Sequence, residues 1–250
     1  MQNYKKLLLA AAASLVFSAN ALAVDKYKVG IEGAYPPFNN KNASGQVVGF
    51  DYDIAMDLCA KMKAECEVVT SDWDGIIPAL NAKKYDFIVS SLSITDDRKQ
   101  AVDFTDPYYS NKQQFVAKKG VDFKTDIESL KSKKLGTQRS TQAATWLEDN
   151  VGGDIALYDT QENAYLDLSS GRVDALLADK YAIYGWLKDD PAGKDYEFKG
   201  NPINEDDKVG IALRKGESDL RTKLNLALKE IKEDGTYKKI NDKYFPFSIE

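Results

Sequence analysis

The 250-residue sequence contains no histidine. That absence excludes a Ser-His-Asp triad, imidazole-ligated zinc and the H-E-x-x-H metalloproteases. Its two cysteines are too few for a four-thiolate zinc site or an iron–sulfur cluster. No apolar run approaches the roughly 20 residues that a membrane-spanning helix requires. Basic residues are outnumbered, 34 Lys+Arg against 39 Asp+Glu, for a net charge of −5. A phosphate backbone needs a basic face, so nucleic acid is not expected as a partner. Arginine is scarce, five residues against 29 lysines, and is therefore not the chain's general-purpose cation. What is present, 43% hydrophobic and 29% charged residues, is an ordinary water-soluble globular composition. The length accommodates one large domain or two lobes of roughly 100 residues each.

Residues 1–23 read as a secretory signal peptide. Lys5 and Lys6 form a positive start, Leu7–Phe17 is apolar but for Ser14, and Ala21-Leu22-Ala23 supplies the small-x-small cleavage pattern. No Cys lies near that point, so a lipid anchor is not expected. The segment carries two lysines and no acid, so its removal takes the net charge from −5 to −7. Export places Cys59 and Cys66 in an oxidising compartment, where a disulfide is the expected state. Their spacing is not the C-x-x-C of a redox pair, which favours a structural staple between a helix end and a strand start.

Strand and helix patterns alternate beyond residue 24, which implies an α/β protein with parallel pairings. Strands are expected at Tyr27–Ile31, Cys66–Thr70, Tyr85–Ser90, Gln113–Ala117, Leu135–Thr137, Ala156–Tyr158, Val173–Ala178 and Val209–Leu213. Helices are expected at Asp51–Lys63 with Asp51 as its cap, Trp73–Ala82, Thr141–Asn150 capped by Ser140, Glu162–Ser170, Glu217–Asp234 and Thr236–Tyr244. One internal echo stands out: Leu80–Ser90 (LNAKKYDFIVS) against Leu168–Ala178 (LSSGRVDALLA). Each is a helix end, a turn, an Asp and an apolar strand, as two lobes of similar construction would produce; chance likeness of two such units is the competing explanation.

Six segments in order carry a resemblance. They are AYPPF at 34–38, VGFDYD at 48–53, DWDGIIPAL at 72–80, SITDDR at 93–98, VDFTDPYY at 102–109 and DGTY at 234–237. Together they resemble the periplasmic solute-binding proteins for polar amino acids, the soluble receptors of ABC importers, over nearly the whole exported sequence. The match is greatest to the branch that binds lysine, arginine, ornithine and histidine, which also carries a short Cys–Cys staple. The resemblance implies a two-lobed Venus-flytrap fold, each lobe a mostly parallel mixed sheet flanked by helices, with two strand-like hinge crossings. It places lobe 1 at residues 24–111 and 206–250 and lobe 2 at 112–205. It further implies a periplasmic monomer that meets an inner-membrane permease and uses no cofactor or metal.

The residues themselves suit a zwitterion. Arg98 follows a Ser-rich turn, and a guanidinium matches a carboxylate bidentately where Lys cannot; the resemblance assigns it the ligand's α-carboxylate, and a surface pair with Asp96 or Asp97 is the plainer alternative. Ser140-Thr141-Gln142 opens a helix whose free N–H groups favour the same anion, and the resemblance gives that role to Thr141. Ser91 and Ser93 offer oxygens to an ammonium. The resemblance puts the ammonium's counter-ion at Asp179, whose alternative is a helix cap. Tyr35 and Trp73 would sandwich an aliphatic stem below a cation. Glu32 matches an acidic position of the basic amino-acid binders and would reject acidic ligands, with Ser90 as a further acceptor. Arg139 departs from the family's usual Gly: a second cation by the carboxylate pocket would suit a ligand with an extra acid group, such as an opine, and a solvent-facing side chain is the equal alternative; glutamine is a separate alternative ligand. A dehydratase-like enzyme on the same fold, and a detached sensory domain that signals through a membrane partner, are the remaining alternatives.

Overall fold

A computed structural model describes residues 24–250; the expected signal peptide lies outside the described residues. β1 (Lys26–Ile31) leads into three short antiparallel strands, β2 (Ala34–Tyr35), β3 (Asn39–Lys41) and β4 (Val47–Val48). Then follow α1 (Phe50–Lys61), β5 (Glu65–Thr70), a 3-10 turn at Trp73–Gly75, α2 (Ile76–Asn81), β6 (Phe87–Ile88), α3 (Asp96–Ala101) and β7 (Val102–Phe104). The long β8 (Tyr109–Lys118) carries the chain into a second unit: α4 (Ile127–Leu130), β9 (Leu135–Gln138), α5 (Gln142–Asn150), β10 (Ile155–Tyr158), α6 (Gln161–Ser169), β11 (Ala175–Asp179) and α7 (Lys180–Asp189). β12 (Tyr196–Val209) returns it to β13 (Ala212–Arg214), α8 (Ser218–Glu233) and α9 (Thr236–Tyr244).

The two lobes are built on one scheme. The first sheet has the order β5-β1-β6-β13-β7 and the second β10-β9-β11-β8-β12. In each, the second strand pairs in parallel with the first and third, and the fourth runs antiparallel to its neighbours. The sequence echo falls on the third strand of each sheet. Asp86 donates its N–H to the Lys28 carbonyl (2.8 Å) and accepts the Lys28 N–H on its carboxylate (2.8 Å). Asp174 makes the same two bonds to Lys134, both 2.8 Å. The shared Asp thus pins the start of the third strand to the second, and the likeness is structural.

Several boundaries differ from the sequence reading. β6 is only two residues long, although Tyr85–Ser90 is buried throughout but for Asp86. Val209–Leu213 is split at Gly210, where an added Cβ would lie 2.8 Å from the Ile94 side chain. β12 lacks an apolar signature over KGNPINEDDK, because both of its crossing edges are polar and half-exposed. Asp51 does not cap α1. That helix starts from Gly49 at φ 126°, where a Cβ would meet the Phe38 carbonyl oxygen at 2.3 Å. Asp51 is instead fully buried and accepts from Asn39 Nδ2 (2.7 Å), Ser91 Oγ (2.8 Å) and Tyr108 Oη (2.6 Å). Burial pushes its pKa up to about 6. Likewise Thr141, not Ser140, caps α5, accepting from the Ala144 N–H at 3.2 Å.

Lobe 1 packs around Phe38 and Phe50, both without exposed surface, with Tyr108, Tyr109, Tyr237 and Phe245 around them. Lobe 2 has a core on each face of its sheet, around Phe115, Leu135 and Leu147 on one side and Tyr165, Ile183 and Trp186 on the other. Cys59 and Cys66 form a disulfide that joins the end of α1 to β5. The small loop so closed predicts about 2.5 kcal/mol of stabilisation through the unfolded chain. Replacing both residues by Ala should therefore lower Tm by roughly 5–10 °C, at roughly 2–4 °C per kcal/mol for a domain of this size, with the native circular dichroism spectrum retained. An unchanged melting curve would contradict the staple's role.

Candidate functional site

Parallel strands end where helices begin, and the strand ends of both sheets converge on one cavity. About 310 Å³ of space free of protein atoms, part of it open to solvent, lies there, and its lining comes from both lobes. Ten of the eleven site residues expected from sequence line it; Ser140 does not, and Gln138 joins them.

Arg98 organises one part. It lies in the first turn of α3, whose cap Thr95 accepts the Arg98 N–H at 3.1 Å. Its guanidinium donates to the Ser93 carbonyl and to the Ser140 carbonyl, each at 2.9 Å, and sits 5.4 Å from the centre of the Trp73 ring. Trp73 donates its indole N–H to the same Ser140 carbonyl at 3.3 Å. Ser140 can present that carbonyl because its backbone is left-handed, at φ 57°. Among the described residues no carboxylate forms an ion pair with Arg98. Burial pulls its pKa down to about 10, against the more distant pull of Asp207 and Asp179. A guanidinium held by two neutral carbonyls in a low-dielectric cleft keeps its charge available to an anion.

Two carboxyls face the cavity. Glu32 follows β1, donates its N–H to Ser90 Oγ (3.0 Å) and accepts from Gln138 Nε2 (2.7 Å). Burial pushes it up to about 7; the Gln138 hydrogen bond opposes this, and Asp51 and Glu162 add to it. Asp179 ends β11 and accepts the Tyr35 hydroxyl proton at 2.7 Å. It occupies the position before α7 without capping it. Burial, and then Asp207, push it up to about 6.

The remaining polar groups are largely engaged. Ser91, at φ 52°, donates its N–H to Tyr108 Oη (3.0 Å) and its hydroxyl to Asp51. Ser93 Oγ donates to Asp207 (3.1 Å). Thr141 Oγ1 donates to the Gln138 carbonyl at 2.7 Å and accepts the Ala144 N–H, and Thr141 and Gln142 bring the start of α5 to the cavity wall.

Sequence reasoning missed two residues. Gln138 ends β9 as Asp179 ends β11, so the strand-end rule could have found it. Asp207 accepts from Ser93, Asn111 (2.9 Å), Gln113 (3.4 Å) and Gln142 (3.4 Å), tying both crossing strands to both lobes. It lies in an Asp-Glu run that reads as solvated surface, and nothing in the sequence marks it. Arg139 lies outside the cavity, paired at its rim with Asp159 (3.1 Å) and Asp74 (3.7 Å). Among the described residues no cluster of Cys, Asp or Glu is arranged to hold a metal ion, and no helix is long and apolar enough to cross a membrane.

Comparison with known proteins agrees with this architecture. The L-arginine-binding protein of Pseudomonas aeruginosa is 43% identical over 255 residues, covering 98% of both chains. The histidine-binding periplasmic protein of Salmonella typhimurium is 40% identical over 258 residues, again 98% of both. The structure of an ancestral arginine-binding protein bound to arginine superposes with a TM-score of 0.82 at 38% identity, covering 88% of this chain and 98% of that one. Residues 27–247 match the sequence pattern of the bacterial extracellular solute-binding proteins, family 3, and the chain belongs to that family.

Proposed function

We propose that the protein is a periplasmic receptor, not an enzyme, that captures a basic L-amino acid between its lobes and delivers it to an inner-membrane ABC permease. The observation that carries this reading is the partly buried Arg98 guanidinium with neutral hydrogen-bond partners only, in a cavity that also holds the separately bonded carboxyl of Glu32. In this reading Arg98, Thr141 and the first N–H groups of α5 take the α-carboxylate. Asp179, with Ser91 and Ser93, takes the α-ammonium. Tyr35 and Trp73 flank the aliphatic stem, and Glu32, supported by Ser90 and Gln138, receives the terminal cation. The names of the arginine- and histidine-binding relatives support the ligand class. The signal-peptide pattern and the disulfide support export.

The same reading divides the chain into lobe 1 (24–111 with 206–250) and lobe 2 (112–205), hinged within β8 and β12. Bonds between the lobes surround the cavity: Tyr35 to Asp179, Gln138 to Glu32 and Arg98 to Ser140. A ligand that touches both lobes binds the closed form more tightly and shifts the population toward it, giving the permease a shape to recognise. An opine would need a second cation at the carboxylate pocket, and Arg139 is committed to rim carboxylates instead.

Thermal melting with a panel of amino acids tests the ligand class. Arginine or lysine at 1,000 times its Kd adds about 4.1 kcal/mol and should raise Tm by roughly 8–16 °C, glutamate should do neither, and Arg98→Ala should abolish every shift. An equal shift with glutamate would contradict the role of Glu32.

Protonation gives an independent check. Glu32 has its folded pKa raised from 4.5 to about 7, so the folded, ligand-free protein holds this proton more tightly than the unfolded chain does. Its contribution to stability is present below the unfolded value and is lost as pH rises through about 7. A bound cation favours the ionised carboxylate, so arginine binding near pH 6 should release protons. Calorimetry in two buffers of different ionisation enthalpy should report that release, Glu32→Gln should remove the larger share, and little should remain near pH 8. Binding enthalpies independent of buffer near pH 6 would contradict the contact.

A further inference from the structure

Gly185 sits in the middle of α7, buried, where glycine is among the poorest helix formers. Its reason lies across the cleft. A Cβ built there would meet Pro37 Cδ at 2.8 Å and Cγ at 3.1 Å. The Pro37 ring is stiff and cannot swing aside as the end of a long side chain would.

The contact is one of two that join the same segments. Asp179, immediately before α7, accepts from Tyr35 Oη at 2.7 Å. Two residues beyond Tyr35, Pro37 rests on Gly185, which lies six residues past Asp179, about 9 Å along the helix at 1.5 Å per residue. The 35–37 segment therefore lies along α7, touching it at its start and its middle. On the neighbouring side of α7, Tyr181 and Tyr184 meet Phe247 with ring centres 5.7 and 5.2 Å apart, so the helix is seated on lobe 1 on two sides. A rigid helix held this way transmits its seating to its first residue.

We propose that Gly185 is a positioning residue for ligand capture: by lacking a side chain it lets α7 settle on Pro37, which sets how far the cleft closes and how near Asp179 stands to Tyr35. This rests on the receptor reading above, because the distance it controls is the one across which the ligand is gripped. Gly185→Ala adds one methyl group to a contact made by closure, while improving the intrinsic helix propensity of α7.

The test uses L-arginine with the full mature chain. Gly185→Ala should weaken arginine binding by about tenfold or more, as one overpacked methyl group does, measured by calorimetry. Its ligand-free Tm should equal or exceed that of wild type. X-ray scattering at saturating arginine should show less compaction than in wild type. Lys188→Ala, on the exposed side of the same helix, should match wild type in affinity. A variant that binds within about twofold of wild type, or whose ligand-free Tm falls, would overturn the inference, the latter by making Gly185 an ordinary packing position. Wild type that binds no basic amino acid would overturn the receptor reading and this inference together, whereas binding unaffected by the substitution would overturn this inference alone.

Discussion

A guanidinium drawn partly out of water without a carboxylate partner is the constraint around which the site is built. Taking a full charge into a low-dielectric cleft is costly unless polar groups replace its water. Arg98 receives that replacement from the Ser93 and Ser140 carbonyls and from the Trp73 ring. These partners hold the side chain in place without neutralising it. The left-handed backbone at Ser140 and the capped turn at Thr95 are the local geometry that this arrangement requires. Because Ser93 and Ser140 lie on different lobes, the same side chain also ties the lobes together.

The carboxyls follow the opposite rule. Glu32, Asp51 and Asp179 are all pushed upward by burial, and each is given hydrogen-bond donors rather than cations. Asp51 is the structural member of the three: Asn39, Ser91 and Tyr108 close around it and lock the turn that carries the serines. Glu32 and Asp179 face the cavity, each with a donor from the other lobe, Gln138 and Tyr35 respectively. A zwitterion with a cationic side chain supplies one anion and two cations, which is the complement of one guanidinium and two carboxyls. Asp207, itself on β12, accepts from Asn111 and Gln113 of β8, so the polar floor of the cleft is continuous with the crossing strands.

Much of this was legible in the sequence, for physical reasons that differ by element. The alternating apolar segments and the Asp-centred echo exposed the repeated sheet scheme, since a strand buried on both faces has few alternatives in composition. Tyr35, Trp73, Ser93 and Arg98 were legible because they fall within the segments that carry the family resemblance, and Glu32, Ser90, Ser91 and Asp179 because they stand at or just past strand ends. The misses are equally specific. Asp51 reads as a helix cap because a short acid before an apolar run has that local use, whereas its three partners come from residues far apart in sequence. Thr141 and Ser140 are adjacent potential caps, and only the left-handed turn at Ser140 decides between them. β12 has no strand signature, because its stability comes from pairing with β8 rather than from apolar burial. Gly185 is silent in the sequence, since its meaning is the proximity of a proline 148 residues earlier.

The account depends finally on orientation: the ligand's acid end at Arg98 and its terminal cation at Glu32. A crystal structure of the mature protein with L-arginine tests this directly. The account predicts the α-carboxylate paired bidentately with the Arg98 guanidinium, the α-ammonium on Asp179 and the ligand guanidinium within hydrogen-bond reach of Glu32. A ligand bound in the reverse sense, or an Arg98 side chain turned away from the bound molecule, would contradict it.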